Sequence, residues 1–208
     1  MPAHRPPQAL KEWAAAVGAI RRGHQTVLLR RGGLRDGPRG FVPIAGTFGL
    51  LEGAYHQNRV PGLLAHGAAD LVARELASSG PSTSISVAAD LTAMWQVRDA
   101  ADAAALFRAV APFTLYGDAF LETRLMCDPP RPTTLLEVRA RVLAHPIPLA
   151  DPDNAGGCAS WVDASCDAGA LDVGTPAIPD DAFERKQAEL RAALEGVPNL
   201  RALDLPAP

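Results

Sequence analysis

Residues 133–143 contain a run, 136–142, in which apolar and polar side chains alternate, which is the pattern of a β-strand that buries one face. The run divides into an apolar face and a charged face: Leu136, Val138, Ala140 and Val142 on the first, Glu137, Arg139 and Arg141 on the second. We expect the charged face to be exposed, where two aligned arginines can bind a phosphate or a carboxylate through paired hydrogen bonds. A solvated face or a cross-strand ion pair is the simpler interpretation.

The remaining elements predict a fold in which helices and strands are interspersed. Apolar runs predict strands at 26–30, 41–51, 84–87, 94–97 and 158–162. Apolar residues at three- and four-residue spacing predict helices at 8–23, 63–77, 99–111, 118–126 and 180–196. Because regular strand–helix alternation is missing, we expect an α+β fold. It would be a single domain over residues 8–196, with a mixed or antiparallel sheet, several flanking helices and proline-containing tails at 1–7 and 197–208.

The composition is that of a folded protein without a membrane segment. The chain has 208 residues, of which 48% are hydrophobic and 21% are charged. No apolar run approaches the roughly 20 residues of a membrane helix, and Lys11 and Glu12 interrupt any secretory signal. Three cysteines without a CxxC pair argue against disulfides and a zinc site. We expect a cytoplasmic protein, and the strong preference for arginine over lysine favours a bacterial source.

Positive charge is concentrated near the start of the chain. Residues 1–60 hold nine basic and three acidic residues, a net charge of +6, whereas the whole chain carries −3. Such asymmetry can mark an anion-binding face, although charges from elsewhere in the fold can equally cancel it. Arg30 and Arg31 end a predicted strand and precede Gly32 and Gly33. Glycines let a backbone approach a ligand closely, with arginine at hand for an anion; a hairpin turn is the simpler explanation.

His56 is the candidate catalytic residue, because the imidazole of an unperturbed histidine titrates near neutral pH. Gln57 follows it with an amide that can hydrogen-bond a ligand. No nucleophile motif accompanies His56, and the five histidines form no HxxxH or HExxH pair. We therefore predict no metal site and no cofactor, and leave open whether the protein is an enzyme.

An ordered series of motifs spans most of the chain. It consists of A-L-K-E-W-A at 9–14, V-L-L-R-R-G-G at 27–33, His56-Gln57, Arg124-Leu125, the strand with Arg139, and G-C-A-S-W-V at 157–162. The series resembles an uncharacterised prokaryotic family with the motifs A-L-K-E-W-A, L-L-R-K-G-G-I, E-H-Q and G-C-x-S-W-V. Some of its members are associated with restriction-endonuclease-type domains, so the resemblance implies a nucleic-acid context. Arg31 replaces the family's lysine, and Gly53-Ala54-Tyr55 replaces P-T-Y-E before the His-Gln pair.

Three functions fit these observations. The first, favoured by the family context, is a nucleic-acid-associated protein that binds phosphate through an arginine-lined surface. That surface would comprise Arg30, Arg31, Gly32, Gly33, Gln57, Arg124, Arg139 and Arg141. The second is an enzyme that acts on a small anionic metabolite with His56 as acid or base. The third is a structural or regulatory partner protein in which Trp13 and Trp161 are buried anchors. The sequence does not indicate an oligomeric state.

Overall fold

Strands and helices alternate irregularly along the chain. The computed structural model describes residues 7–31, 40–53, 64, 83–126, 131–149, 151, 160–164 and 166–206. The strands in this part of the chain are β1 Gln8–Trp13, β2 Val27–Arg30, β3 Thr47–Gly53, β4 Ser84–Val97, β5 Thr133–Pro148, β6 Trp161–Asp163, β7 Gly174–Pro176 and β8 Arg201–Ala202. The α-helices are α1 Ala14–Arg21, α2 Ala100–Val110, α3 Asp118–Phe120 and α4 Asp180–Leu194, and α3 continues as a π-helix over Leu121–Leu125. Short 3-10 helices lie at Ala111–Phe113 and Ala168–Asp172.

The eight strands form one mixed sheet. Its order is β2-β5-β4-β3-β1-β6, with β7 added to β5 and β8 added to β4. Strands β1 and β3 run parallel, and the other described pairs are antiparallel. The predicted α+β class with a mixed sheet is confirmed. Because β1 and β3 are parallel, their carboxyl ends meet, and Trp13 pairs with Gly53.

The longest pairing in the sheet joins β4 and β5, which have 14 and 16 residues. The predicted strands at 84–87 and 94–97 are one continuous strand, and the predicted strand at 133–143 extends to Pro148. Register shifts between Ile85 and Val87 and between Leu91 and Ala93 interrupt the ladder. Such irregularities increase local twist, which suits a sheet that curls.

The sheet is strongly curled around an apolar interior. One side chain from each of five neighbouring strands enters the same cluster: Leu10, Leu28, Leu50, Val87 and Leu136. In a flat sheet β2 and β1 would lie about 19 Å apart, at four strand spacings. Arg30 on β2 instead donates to the carbonyl oxygen of Lys11 on β1 at 3.1 Å. The two strands therefore face each other across the concave side.

Helices pack on both sides of the curled sheet. Helix α1 is buried from Ala14 to Ile20, with Val17 and Ile20 in the concave core. Helices α2 and α4 contribute Leu106 and Leu190 to a second core, which includes Leu135 on the other face of β5. The alanines of α1 let this helix pack closely against the sheet, because their side chains add little volume.

The first helix begins later than the sequence pattern predicts. The pattern predicts a helix over 8–23, whereas Gln8–Trp13 form β1 and the helix begins at Ala14. Strand β1 is paired on both sides, to β3 and β6. This tertiary pairing outweighs the helical spacing of the apolar residues. The predicted helix at 63–77 lies outside the described residues except for Leu64, which forms an isolated bridge with Tyr116.

Residues beyond Gly196 take part in the fold. Val197 is buried in the second core, and β8 pairs Ala202 with Trp95 on β4. The backbone N–H of Leu203 donates to the carbonyl oxygen of Met94 at 2.9 Å. The C-terminal segment, which the sequence pattern assigns to a tail, therefore adds a strand to the sheet.

Candidate functional site

The second-to-last residue of strand β1 is a buried acidic residue. Glu12 pairs in register with Glu52 near the ends of the two parallel strands. The Glu12 side chain is only 5% exposed, and one of its oxygens, Oε1, accepts a hydrogen bond from the backbone N–H of Trp13 at 2.8 Å. A carboxylate removed from water in this way requires further polar partners.

Arg30 supplies the main positive charge at Glu12. Its Nη1 lies 3.0 Å from Glu12 Oε2 and its Nη2 donates to Ser160 Oγ at 3.1 Å. The guanidinium also lies over the ring of Phe41, 5.0 Å from the ring centre, and Phe41 stacks on Trp161. Arg30 thus joins the end of β2 to the end of β1 and to the residue before β6.

An aromatic group lies beside this ion pair. Trp13 meets the rings of Tyr116 and Phe120 edge to face, at centroid distances of 5.8 Å and 5.5 Å. Tyr116 and Phe120 stack at 4.1 Å. The guanidinium carbon of Arg124 lies 5.7 Å from the centre of the Trp13 ring. Trp13 and Arg124 are both half-buried, so this face of the group is accessible to solvent.

The Tyr116 hydroxyl is buried, and it has no hydrogen-bond partner within the described part of the chain. Burial raises the pKa of Tyr116 well above its ordinary value, and the nearby Glu12 carboxylate raises it further, while Arg30 and the Gln25 amide lower it in part. The amide lies near the hydroxyl and bonds to the backbone of Val27 and Leu115, but it is not placed to bond to the hydroxyl as well. The phenol is therefore protonated at neutral pH, and no residue in the described part of the chain accepts its proton.

We call six residues the Glu12 cluster: Glu12, Trp13, Arg30, Tyr116, Arg124 and Ser160. The cluster combines one carboxylate, two guanidinium groups, two hydroxyls and a half-buried indole ring. Guanidinium groups bind phosphate oxygens, and aromatic rings stack on planar ligands. This arrangement suits the binding of a planar ligand that carries negative charge.

Arg139 and Arg141, on the outer face of β5, lie in ion pairs away from the Glu12 cluster. Arg139 pairs with Asp180, the first residue of α4. Arg141 pairs with Asp90 on β4 and donates to the carbonyl oxygen of Leu171 at 3.2 Å. These contacts correspond to the cross-strand and structural interpretation of the charged face.

Glu137 on the same face is 1% exposed, so the expectation that the charged face is exposed is wrong at this residue. Helix α4 covers it: Gln187 Nε2 donates to the Glu137 carboxylate at 2.9 Å and Arg191 Nη1 donates at 3.2 Å. On the sheet, Thr92 Oγ1 donates to the same carboxylate at 2.7 Å. Glu137 therefore anchors α4 to β4 and β5.

The other predicted site residues are only partly covered by the structure. Arg31 is half-buried at the end of a described segment, while Gly32, Gly33, His56 and Gln57 lie outside the described residues. Among residues 7–31, 40–53 and the later described ranges, no three His, Cys, Asp or Glu side chains group as a metal site. The same ranges contain no helix that is long and apolar enough to cross a membrane.

Four members of the Glu12 cluster were not among the predicted site residues: Glu12, Tyr116, Ser160 and Trp13, which was predicted only as a buried anchor. Glu12 and Ser160 do belong to the motifs A-L-K-E-W-A and G-C-A-S-W-V, the series that also contains Arg30. Membership of the same motif series as Arg30 is the sequence feature that could have indicated Glu12 and Ser160 as site residues. Nothing local in the sequence marks Tyr116, which reaches the cluster through the path of the chain after α2.

Comparisons with known proteins identify a family and a weak structural likeness. A family model described as a domain of unknown function, DUF1802, matches residues 9–189. No curated protein matches the chain significantly. The crystal structure of ASCH from Zymomonas mobilis matches with a TM-score of 0.46 and 12% identity, covering 89% of this chain and 96% of that one. A variant of the same protein matches with a TM-score of 0.45 at 12% identity, covering 88% of this chain and 96% of that one.

Proposed function

This chain belongs to the DUF1802 family, a domain of unknown function, and we propose that it is a nucleic-acid-associated protein that binds a single-stranded segment at the Glu12 cluster. Arg30 and Arg124 would contact phosphate, and Trp13 would stack on a base. The proposal rests on the residues of the chain itself. The observation that carries it is the convergence of Arg30 and Arg124 on the consecutive residues Glu12 and Trp13.

The arrangement of Trp13 favours a single strand over a duplex. Proteins that bind unpaired nucleic acid combine positive charge along the backbone with aromatic rings on which bases stack. Trp13 is half-buried and has the guanidinium of Arg124 over its ring. An incoming base could add to this stack, since arginine and aromatic planes both stack on bases. In a duplex the base faces are already covered by their neighbours.

The other predicted site residues differ in whether they lie near the Glu12 cluster. Arg31 follows Arg30 directly and could extend the phosphate contact. Arg139 and Arg141 pair with Asp180 and Asp90 on the outer face of the sheet and do not join the Glu12 cluster. The alternative of an enzyme with His56 as acid or base stays a prediction, because His56 lies outside the described residues.

The direct test is a binding titration with labelled single-stranded RNA and DNA of about 12 nucleotides. We expect affinity at about 50 mM salt that falls steeply as the salt concentration rises, because bound arginines release counterions from the phosphates. Arg124→Gln should weaken binding roughly tenfold, the loss of one charge-assisted contact worth ~1.4 kcal/mol. It should also reduce the slope of log affinity against log salt by about 0.7.

Arg185→Gln is the matched control, because it changes the net charge equally. Arg185 lies on α4, is not a member of the Glu12 cluster, and has a side chain that is 65% exposed and pairs with Asp181. We expect this variant to bind like the wild type. Equal losses in the two variants would show only a non-specific charge effect. Absence of binding at the lowest salt would refute the proposal and leave the enzyme and structural alternatives.

A further inference from the structure

The unsatisfied hydroxyl of Tyr116 is the least expected feature of the Glu12 cluster. Tyr116 is 2% exposed, and its hydroxyl has no partner in the described part of the chain. Phenylalanine would fill the same space without a buried polar atom, and an unpaired buried hydroxyl destabilises a folded state. A tyrosine at this position is explained if a ligand supplies the missing partner.

The neighbouring carboxylate offers the complementary group. Glu12 accepts one hydrogen bond at each oxygen, from Trp13 and from Arg30, whereas a carboxylate has about four acceptor positions. A ligand N–H could therefore bond to Glu12 while a ligand acceptor takes the Tyr116 proton. The exposed parts of the cluster are at Arg30, whose side chain keeps 19% of its surface exposed, and at the half-buried Trp13, so a ligand would have to enter beside them.

A second unused donor lies on the other side of Arg30. The indole Nε1 of Trp161 is buried without a partner in the described residues. Trp161 stacks against Phe41 at a centroid distance of 5.8 Å, and Phe41 carries the guanidinium of Arg30 over its ring. Two buried donors thus flank one arginine–glutamate pair, which is more than phosphate binding alone requires.

We propose that Glu12 and Tyr116 contact the hydrogen-bonding edge of one unstacked nucleobase. Adjacent donors and acceptors on a planar edge are what nucleobases present when unpaired. The inference rests on the proposed function and deepens it: Arg30 and Arg124 bind the backbone, while Glu12 and Tyr116 bind the base itself.

The test compares a base-bearing single strand with an abasic strand of the same length, at about 50 mM salt. Wild-type protein should bind the abasic strand roughly tenfold more weakly, because stacking and edge contacts are lost. Tyr116→Phe should lower affinity for the base-bearing strand by roughly fivefold and leave affinity for the abasic strand unchanged. Binding titrations with homopolymers of each base then identify the nucleobase whose hydrogen-bonding edge is preferred.

Thr133→Val is the matched control. Thr133 is fully buried, and its hydroxyl likewise has no partner in the described residues, but it lies on β5 outside the Glu12 cluster. We expect this variant to keep the affinities of the wild type. A Thr133→Val protein that lost base preference as Tyr116→Phe does would overturn the inference.

The outcomes separate the two proposals. If the wild type binds neither strand, the proposed function fails and the base contact fails with it. If both strands bind equally, or if Tyr116→Phe keeps the base preference, nucleic-acid binding stands and the base contact is wrong. If Tyr116→Phe does not fold, the hydroxyl has a structural partner and the inference is also wrong.

Discussion

Arg30 on β2 lies 3.0 Å from the Glu12 carboxylate on β1, although three strands separate β2 from β1 in the sheet. The same guanidinium bonds to Ser160, just before β6 at the far edge. One side chain therefore holds two distant parts of the curled sheet together. The Glu12 cluster is both a structural tie and a candidate binding site, and experiments have to separate these roles.

Removal of Arg30 should destabilise the fold substantially. Arg30→Met leaves Glu12 buried without its charged partner, and breaking a buried ion pair in this way costs about 3–5 kcal/mol. The double variant Glu12→Gln with Arg30→Met should recover part of that loss, because no uncompensated charge remains. Urea unfolding measures both. An Arg30→Met protein as stable as the wild type would contradict the structural tie between β2 and β1.

Tyr116→Phe should leave the protein at least as stable as the wild type near pH 7. The substitution removes a buried hydroxyl that has no partner in the described residues, and such a group costs about 1–3 kcal/mol. Chemical denaturation at neutral pH measures the difference. A loss of more than about 1 kcal/mol would mean that the hydroxyl has a native hydrogen-bond partner.

The decrease in the free energy of unfolding at alkaline pH should depend on Tyr116. Burial holds its pKa in the folded state well above the ordinary value of 10.0. Folding therefore favours the protonated phenol, so stability is intact below pH 10 and is lost as the pH rises above 10 towards the raised folded value. Tyr116→Phe should lose less free energy of unfolding over that interval. Parallel pH curves for the two proteins would contradict the raised pKa.

Glu137 should be essential to the attachment of α4. Its carboxylate, 1% exposed, accepts hydrogen bonds from Thr92, Gln187 and Arg191. Glu137→Ala should therefore cost about 3 kcal/mol and leave nucleic-acid affinity unchanged in the folded fraction. Glu189→Ala, at an exposed position of the same helix, should have little effect on thermal unfolding. Equal melting temperatures for the two variants would contradict the anchoring role.

Gly49 lies at a close approach between β3 and β4. A Cβ atom there would meet Ile85 Cγ2 at 2.7 Å and Ala9 Cβ at 3.4 Å. Gly49→Ala should destabilise the protein by about 1–3 kcal/mol through overpacking. Ile85→Leu, which lacks the Cγ2 methyl group, should restore part of the loss in the double variant. Strictly additive losses would show that Ile85 does not cause the clash.

Local sequence patterns predict those strands and helices in which the spacing of apolar residues fits only one type of secondary structure. The alternation in residues 133–143 sufficed for β5, because a period of two does not fit a helix. The same reasoning was wrong for Gln8–Trp13, where apolar residues three apart also fit a helix. What makes that segment a strand is its pairing with Thr47–Gly53 and Trp161–Asp163, and contacts so distant in sequence leave no local signal.

The candidate site was predictable only in part, for the same reason. Arg30 and Arg124 could be named from charge and motif, but their meeting at Glu12 and Trp13 depends on the curl of the sheet. Arg139 and Arg141 fit the same chemical pattern, yet the fold pairs them with acidic residues of α4 and β4 on the outer face of the sheet and not with Glu12. Only the three-dimensional structure shows that Arg30 and Arg124 lie at the Glu12 cluster. Arg139 and Arg141 do not.

The central claim is that single-stranded nucleic acid binds at the Glu12 cluster, and photo-crosslinking tests it most directly. A thiouridine-substituted strand would be crosslinked to the wild-type protein, and the tryptic peptides that carry nucleotide would be identified by mass spectrometry. We predict crosslinks in the peptides of residues 12–21, with Trp13, and 109–124, with Tyr116. Crosslinks confined to α4, or none at a strand concentration that saturates binding, would contradict the claim.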